Sequence, residues 1–134
     1  MIPIKDLRIG DLVKTTTRNP ILEKGSVCKV VLIDALINSI IVQKSDVDVC
    51  RCLVKEEIEG IPLTPEILEK NGWEQEYYAP IIYDHTGHDI EISFLRTSKR
   101  CLVLLNDISL CEIQYVHELQ HILWALGNDA NLKI

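Results

Sequence analysis

Apolar positions in this chain come mostly as short runs of Val, Ile and Leu separated by polar turns, which is the patterning of strands rather than of long helices. Leu12-Val13 with Thr15-Thr16-Thr17 predicts a first strand, entered through the turn residues Ile9-Gly10-Asp11. Val27–Ile33 and Ile37–Gln43, parted by Asp34-Ala35-Leu36, predict a hairpin, and Val47–Val54 a fourth strand. Several short strands joined by tight turns over residues 1–58 are what a small, partly open β-barrel of SH3-like type requires.

At Glu56-Glu57-Ile58-Glu59-Gly60 the character of the sequence changes, and this acidic stretch is read as the boundary of a second subdomain over residues 59–134, within what is also compatible with a single domain. A short helix follows. Thr64 can cap its free N–H groups, Pro65 suits the first helical position, Glu66 complements the positive end of the dipole, and Gly72 suits the left-handed residue that ends it. Trp73 then falls where a Schellman-type contact with Leu68 is expected. Tyr77–Tyr83 reads as an edge or bulged strand because of Pro80, and Asp84-His85-Thr86-Gly87 as a turn. Asp89–Phe94 alternates strictly, with Ile90, Ile92 and Phe94 on one face, and Cys101–Leu105 is apolar enough to lie centrally. The expectation is an α+β protein: the N-terminal barrel, then a three-stranded antiparallel sheet packed by the short helix and a C-terminal amphipathic helix.

That last helix, Tyr115–Leu126, is where the period changes to three and four. Val116, Leu119, Ile122, Leu123 and Leu126 define one apolar face, which places His117 and His121 near the opposite side beside Trp124. The same helix spells His117-Glu118-Leu119-Gln120-His121, in which two histidines one turn apart could hold zinc while Glu118 serves as base. The continuation Ile122–Gly127 lacks the further Gly and His of the metzincins, and only Asp129 remains downstream as a ligand type. The favoured reading is therefore an outward face with Trp124, His117 and His121 as interface candidates, since an aromatic on a polar face is a common anchor.

Composition narrows the setting. With 134 residues, 47% hydrophobic and 25% charged, the chain can bury a core without staples. No apolar block has the length of a signal-peptide core or a membrane span, and five cysteines are an odd number without scaffold spacing, so a reducing, cytoplasmic location with free thiols is expected. A net charge of −6 argues against non-specific nucleic-acid binding; Arg96, Lys99 and Arg100 form the one compact basic patch that could contact phosphate. Cys50-x-Cys52 could join a soft-metal site, Cys111 could be activated by the helix that follows it, and His85-x-x-His88, bordered by Asp84 and Asp89, could bind a divalent ion or form a polar hairpin tip. For each of these the buried or solvated structural role is the simpler reading, and no cofactor is expected.

Three segments, Leu7-Arg8-Ile9-Gly10-Asp11, Gly60–Leu68 with Gly72-Trp73, and Tyr115–Gln120 with Ala125-Leu126-Gly127, resemble a group of small uncharacterised proteins of Bacteroidetes and their phages or prophages. This chain departs from the group's terminal pattern in having His121 where Asn is usual. The resemblance implies a phage or mobile-element setting and no known activity. The resulting expectation is a non-enzymatic binding or adaptor protein that meets a protein partner or a second copy of itself, without membrane or nucleic acid, with a zinc-dependent hydrolase at His117, Glu118 and His121 as the alternative.

Overall fold

The computed structural model describes residues 2–16, 24–44, 50–77 and 81–134, which fall into two units, Met1–Ile61 and Pro62–Ile134. In the first, β1 (Leu12–Thr15), β2 (Val27–Asp34), β3 (Ser39–Lys44) and β4 (Cys50–Val54) form an antiparallel meander, and β5 (Ile58–Gly60) returns to pair with β1, giving the order β4-β3-β2-β1-β5. The core beneath it is built from the inward positions of those strands, Val13, Val30, Ile40, Val42, Leu53 and Ile58, together with Ile2, Ile4 and Leu7 from the segment before β1. Arg8–Asp11 fastens that segment. Arg8 N–H donates to the Asp11 carboxylate at 2.8 Å, and Gly10 N–H and Asp11 C=O bond to the two backbone groups of Val30.

The second unit opens with α1 (Pro65–Lys70) and continues through β6 (Glu74–Gln75), β7 (Ile82–His85), β8 (His88–Phe94), β9 (Cys101–Leu105) and β10 (Ile108–Ile113) to α2 (Val116–Ala125). Its sheet is an antiparallel meander in the order β10-β9-β8-β7-β6. Ile90, Ile92, Cys101 and Val103 are buried, as are Val116, Leu119 and Leu123 of α2. Leu63 N–H donates to Gln114 C=O and Pro62 bridges Tyr115, so the start of this unit is tied to the start of its last helix.

These observations correct the expected fold class. The protein is mostly β, with two five-stranded antiparallel sheets and, among the described residues, α2 as the one substantial helix, rather than the expected α+β protein with a partly open SH3-like barrel and a three-stranded sheet. The N-terminal sheet stays open because β4 and β5 are its two outer strands. β5 contributes three residues, all in register with Val13–Thr15, and the chain then leaves through Pro62, which has no N–H to extend a ladder. In the C-terminal sheet the unexpected strands are β6 and β10. β10 follows Asn106-Asp107, whose φ values of 50° and 64° make the two-residue turn that matches strand twist, but a bulge between Ser109 and Cys111 breaks its alternation. The acidic stretch read as a boundary forms a 3-10 turn (Lys55–Glu57) and β5, and the two units part just after it, between Ile61 and Pro62. Part of the strands expected at 47–54 and 77–83, residues 47–49 and 78–80, lies outside the described residues.

Candidate functional site

Local rules build a cleft in the C-terminal unit. At its floor is Trp73, placed by the end of α1. Thr64 Oγ1 accepts from Ile67 N–H at 3.3 Å to start the helix, and Trp73 N–H donates to Leu68 C=O while Gly72 N–H donates to Glu69 C=O to end it. That pair of bonds is the Schellman motif, and it requires the φ of +85° that Gly72 adopts. Trp73 is driven inward, 3% exposed, above a buried Leu68.

The β7–β8 hairpin supplies the opposite wall. With two residues, Thr86 and Gly87, in its turn, His85 and His88 become cross-strand partners, and their rings stack at 4.7 Å with 13° between planes. Trp73 meets His88 at 4.7 Å and His85 edge-on at 5.6 Å. Backbone donors orient both imidazoles: Gly87 N–H donates to His85 Nδ1 at 2.8 Å, and Ile90 N–H to His88 Nδ1 at 3.3 Å. A neutral imidazole whose Nδ1 accepts carries its proton on Nε2, so both rings present Nε2–H donors. A metal bound at Nε2 would require a proton on Nδ1, facing the backbone N–H that now donates there. Burial first, and repulsion from His85 second, hold His88 below the ordinary imidazole value, against an opposing pull from Asp89.

The third wall is the segment after α2. Gln120, buried in the helix, donates from Nε2 to Ala130 C=O at 3.1 Å, and Asn71 grips the backbone of Lys133 from both sides, donating to its C=O at 2.8 Å and accepting from its N–H at 2.7 Å. Asp129 Oδ1 accepts from Asn131 N–H at 2.9 Å, which holds this carboxylate on the wall. The cleft so enclosed is about 210 Å³ and is lined by Trp73, His85, His88, Leu123, Asp129 and Leu132 among others.

The zinc-like motif of α2 is arranged otherwise. His117 is 5% exposed, stacked on Tyr115 at 5.7 Å, so the outward placement expected for it is corrected; His121 is half-buried and meets His117 edge-on at 5.8 Å. Glu118 Oε1 accepts from Gln114 N–H and Tyr115 N–H, both at 3.1 Å, and so serves as the cap of its own helix. Among the described residues no three His, Cys, Asp or Glu side chains stand where they could share a metal ion. Trp124 is 64% exposed.

Cys28, Cys101 and Cys111 are set against nucleophilic use. Burial pushes the Cys28 thiol up and Cys101 to about 11, aided there by Glu118. Cys111 lies in β10, where burial and Glu118 raise its thiol rather than a helix dipole lowering it. Cys52 is exposed, and the Cys50 side chain lies outside the described set. Arg96, Lys99 and Arg100 are exposed on the β8–β9 loop, with Arg100 paired to Glu112 at 3.7 Å, so part of that patch's charge is offset. Among the described residues no helix is long and apolar enough to cross a membrane.

The sequence pattern had marked His85-x-x-His88 as a polar tip and Trp73 as a capping contact; their meeting in one cleft is a tertiary fact that neither motif announces. Comparison with known proteins matches no family model, no curated protein and no solved structure.

Proposed function

We propose that the protein is a non-catalytic binding protein and that the cleft of its C-terminal unit is the recognition site. The observation that carries this reading is the pair of stacked imidazoles, each turned by a backbone N–H so that it offers a hydrogen-bond donor beside Trp73. Polar groups of fixed orientation beside a buried aromatic are what orients a ligand in a pocket. The alternative hydrolase reading has less support, because the carboxylate it needs as a base is engaged at the helix start.

The four histidines make the test direct. Their imidazole C–H signals are assigned by NMR and followed while mixtures of small polar fragments are added. The expected result is movement of His85 and His88 with His117 and His121 unmoved. A fragment set that moves neither His85 nor His88 refutes the cleft as a binding site.

Exposed Trp124 favours a second contact, a protein partner or another copy of the chain meeting the outer side of α2. Light scattering after size exclusion on wild type and Trp124→Ala addresses self-association: an unchanged mass for a wild type that is already monomeric leaves only a foreign partner, to be sought by pull-down with the same pair.

A further inference from the structure

We infer that the cleft recognises a neutral amide-type head group, one that offers a hydrogen-bond acceptor and a donor side by side on a small planar unit. This rests on the reading of the cleft as a binding site. Two walls determine the polarity of what fits. The hairpin wall carries two imidazole Nε2–H donors, since both Nδ1 atoms already accept backbone hydrogens. The opposite wall carries the Asp129 carboxylate, an acceptor held in place by Asn131 N–H. Of the remaining lining side chains, Trp73, Leu123 and Leu132 are apolar and suit a short hydrocarbon or ring attached to the head, while Asn71, Asn128 and Asn131 carry amides, each both donor and acceptor, that favour neither sign of charge.

Charge excludes the neighbouring chemistries. An anionic head would satisfy the imidazole donors but face Asp129 in a chain of net charge −6. A cationic head would satisfy Asp129 but present hydrogens to two imidazoles that present hydrogens themselves. A divalent metal would need the Nδ1 protons that the Gly87 and Ile90 N–H groups forbid. An amide places its C=O toward the imidazoles and its N–H toward Asp129, leaving neither wall unmatched, and polar groups left without a partner are what disfavours a ligand of the right shape. The volume of about 210 Å³ accepts a fragment of this size rather than a large cofactor.

Three probes of one shape separate the possibilities at about neutral pH. Isobutyramide has one acceptor and one donor, isobutyrate two acceptors, and isobutyramidinium two donors. Titration of the full chain with each, read from the His85 and His88 imidazole signals, is expected to give isobutyramide a Kd at least about tenfold below the other two. Asp129→Asn is expected to erase most of the preference over isobutyrate, while unmoved His117 and His121 signals show that the fold is kept. Isobutyrate or isobutyramidinium binding as tightly as isobutyramide overturns the amide assignment while leaving the cleft as a binding site. Stoichiometric zinc shifting His85 and His88 overturns it as well, because the tautomers would then be reversed. Fragment mixtures that move these signals where isobutyramide does not also overturn it. No response to any probe or mixture removes the binding site itself.

Discussion

Substituting the two glycines that flank His85 separates backbone strain from side-chain crowding. An added Cβ at Gly87 would lie 3.0 Å from both Cε1 and Nδ1 of His85, and one at Gly72 would lie 3.2 Å from its Nε2. The backbones differ: Gly72 has φ +85°, in the left-handed region, whereas Gly87 lies outside it. His85 has little room to retreat, because it stacks on His88, touches the Trp73 edge and accepts the Gly87 N–H. Overpacking against such a ring costs about 1–2 kcal/mol. The left-handed penalty for alanine is also about 1–2 kcal/mol. Against both stands the lower entropy of the unfolded chain, which favours alanine by about 0.4–1 kcal/mol.

A double-mutant cycle with His85→Ala divides these contributions. Gly87→Ala alone is expected to destabilise by about 1 kcal/mol, and in the His85→Ala background to become neutral or stabilising, because crowding was its only penalty. Gly72→Ala is expected to be destabilising in both backgrounds, by about 1–3 kcal/mol with His85 present and still by about 1 kcal/mol without it, because removing the ring relieves the crowding but not the backbone. Urea unfolding followed by tryptophan fluorescence is a suitable assay, since Trp73 and Trp124, the chain's two tryptophans, both belong to the C-terminal unit. If Gly87→Ala costs as much without His85 as with it, the packing of the hairpin turn against that ring is wrongly described.

Three further outcomes are expected. Gln120→Met keeps the helix packed but removes the donor to Ala130 C=O, so it should cost about 1 kcal/mol and raise hydrogen exchange in residues 128–134; unchanged exchange there refutes the tether. Because burial and His85 lower the His88 value, the unfolded chain binds more protons than the folded one below about pH 6.5. The stability this gives is present above that pH and lost as pH falls toward the folded value. Glu91, raised by burial and by Glu76, Asp107 and Asp84, acts in the opposite sense, so the contribution is isolated by His88→Phe, whose urea midpoint should fall less between about pH 7.5 and pH 5.5 than that of wild type. Native alkylation at about pH 8 followed by mass spectrometry should label Cys52 readily, Cys111 more slowly, and Cys28 and Cys101 hardly at all; rapid labelling of Cys101 would contradict its enclosure.

What sequence makes legible here is what neighbours along the chain decide. The α1 ends follow from Thr64, Pro65 and Gly72, and β9 spans the apolar run Cys101–Leu105, because caps and uninterrupted hydrophobicity act within a few residues. Closure of the N-terminal sheet is a different matter. Whether β4 and β5 meet depends on the summed twist and stagger of every strand between them, and alternation in any one strand carries no information about that sum. β10 was hidden by its bulge, which puts Leu110 at 46% exposure and Ile113 at 3%, so no single period describes the strand. The useful signal was Asn106-Asp107 between two apolar runs.

The terminal helix shows why the candidate site moved. At roughly 100° per residue, two overlapping arcs of α2 compete for the interior. One runs through Val116, Leu119, Ile122, Leu123 and Leu126 and is wholly apolar; the other replaces Ile122 and Leu126 with His117 and Gln120. Hydrophobicity favours the first, yet the second is buried, with Ile122 half-buried and Leu126 43% exposed. The difference lies outside the helix, in the segment that folds back across it. A backbone carbonyl folded against a helix is satisfied by a donor, and Gln120 supplies one to Ala130, so a polar residue facing inward is stabilised by the wall it holds. The same rotation turns His117 inward and leaves His121 at the margin, while the wall it anchors carries Asp129 to the cleft where His85 and His88 stand. The histidines that spell a metal motif are therefore involved in packing the helix, and the pair joined by a two-residue turn is the one with hydrogens to offer a ligand.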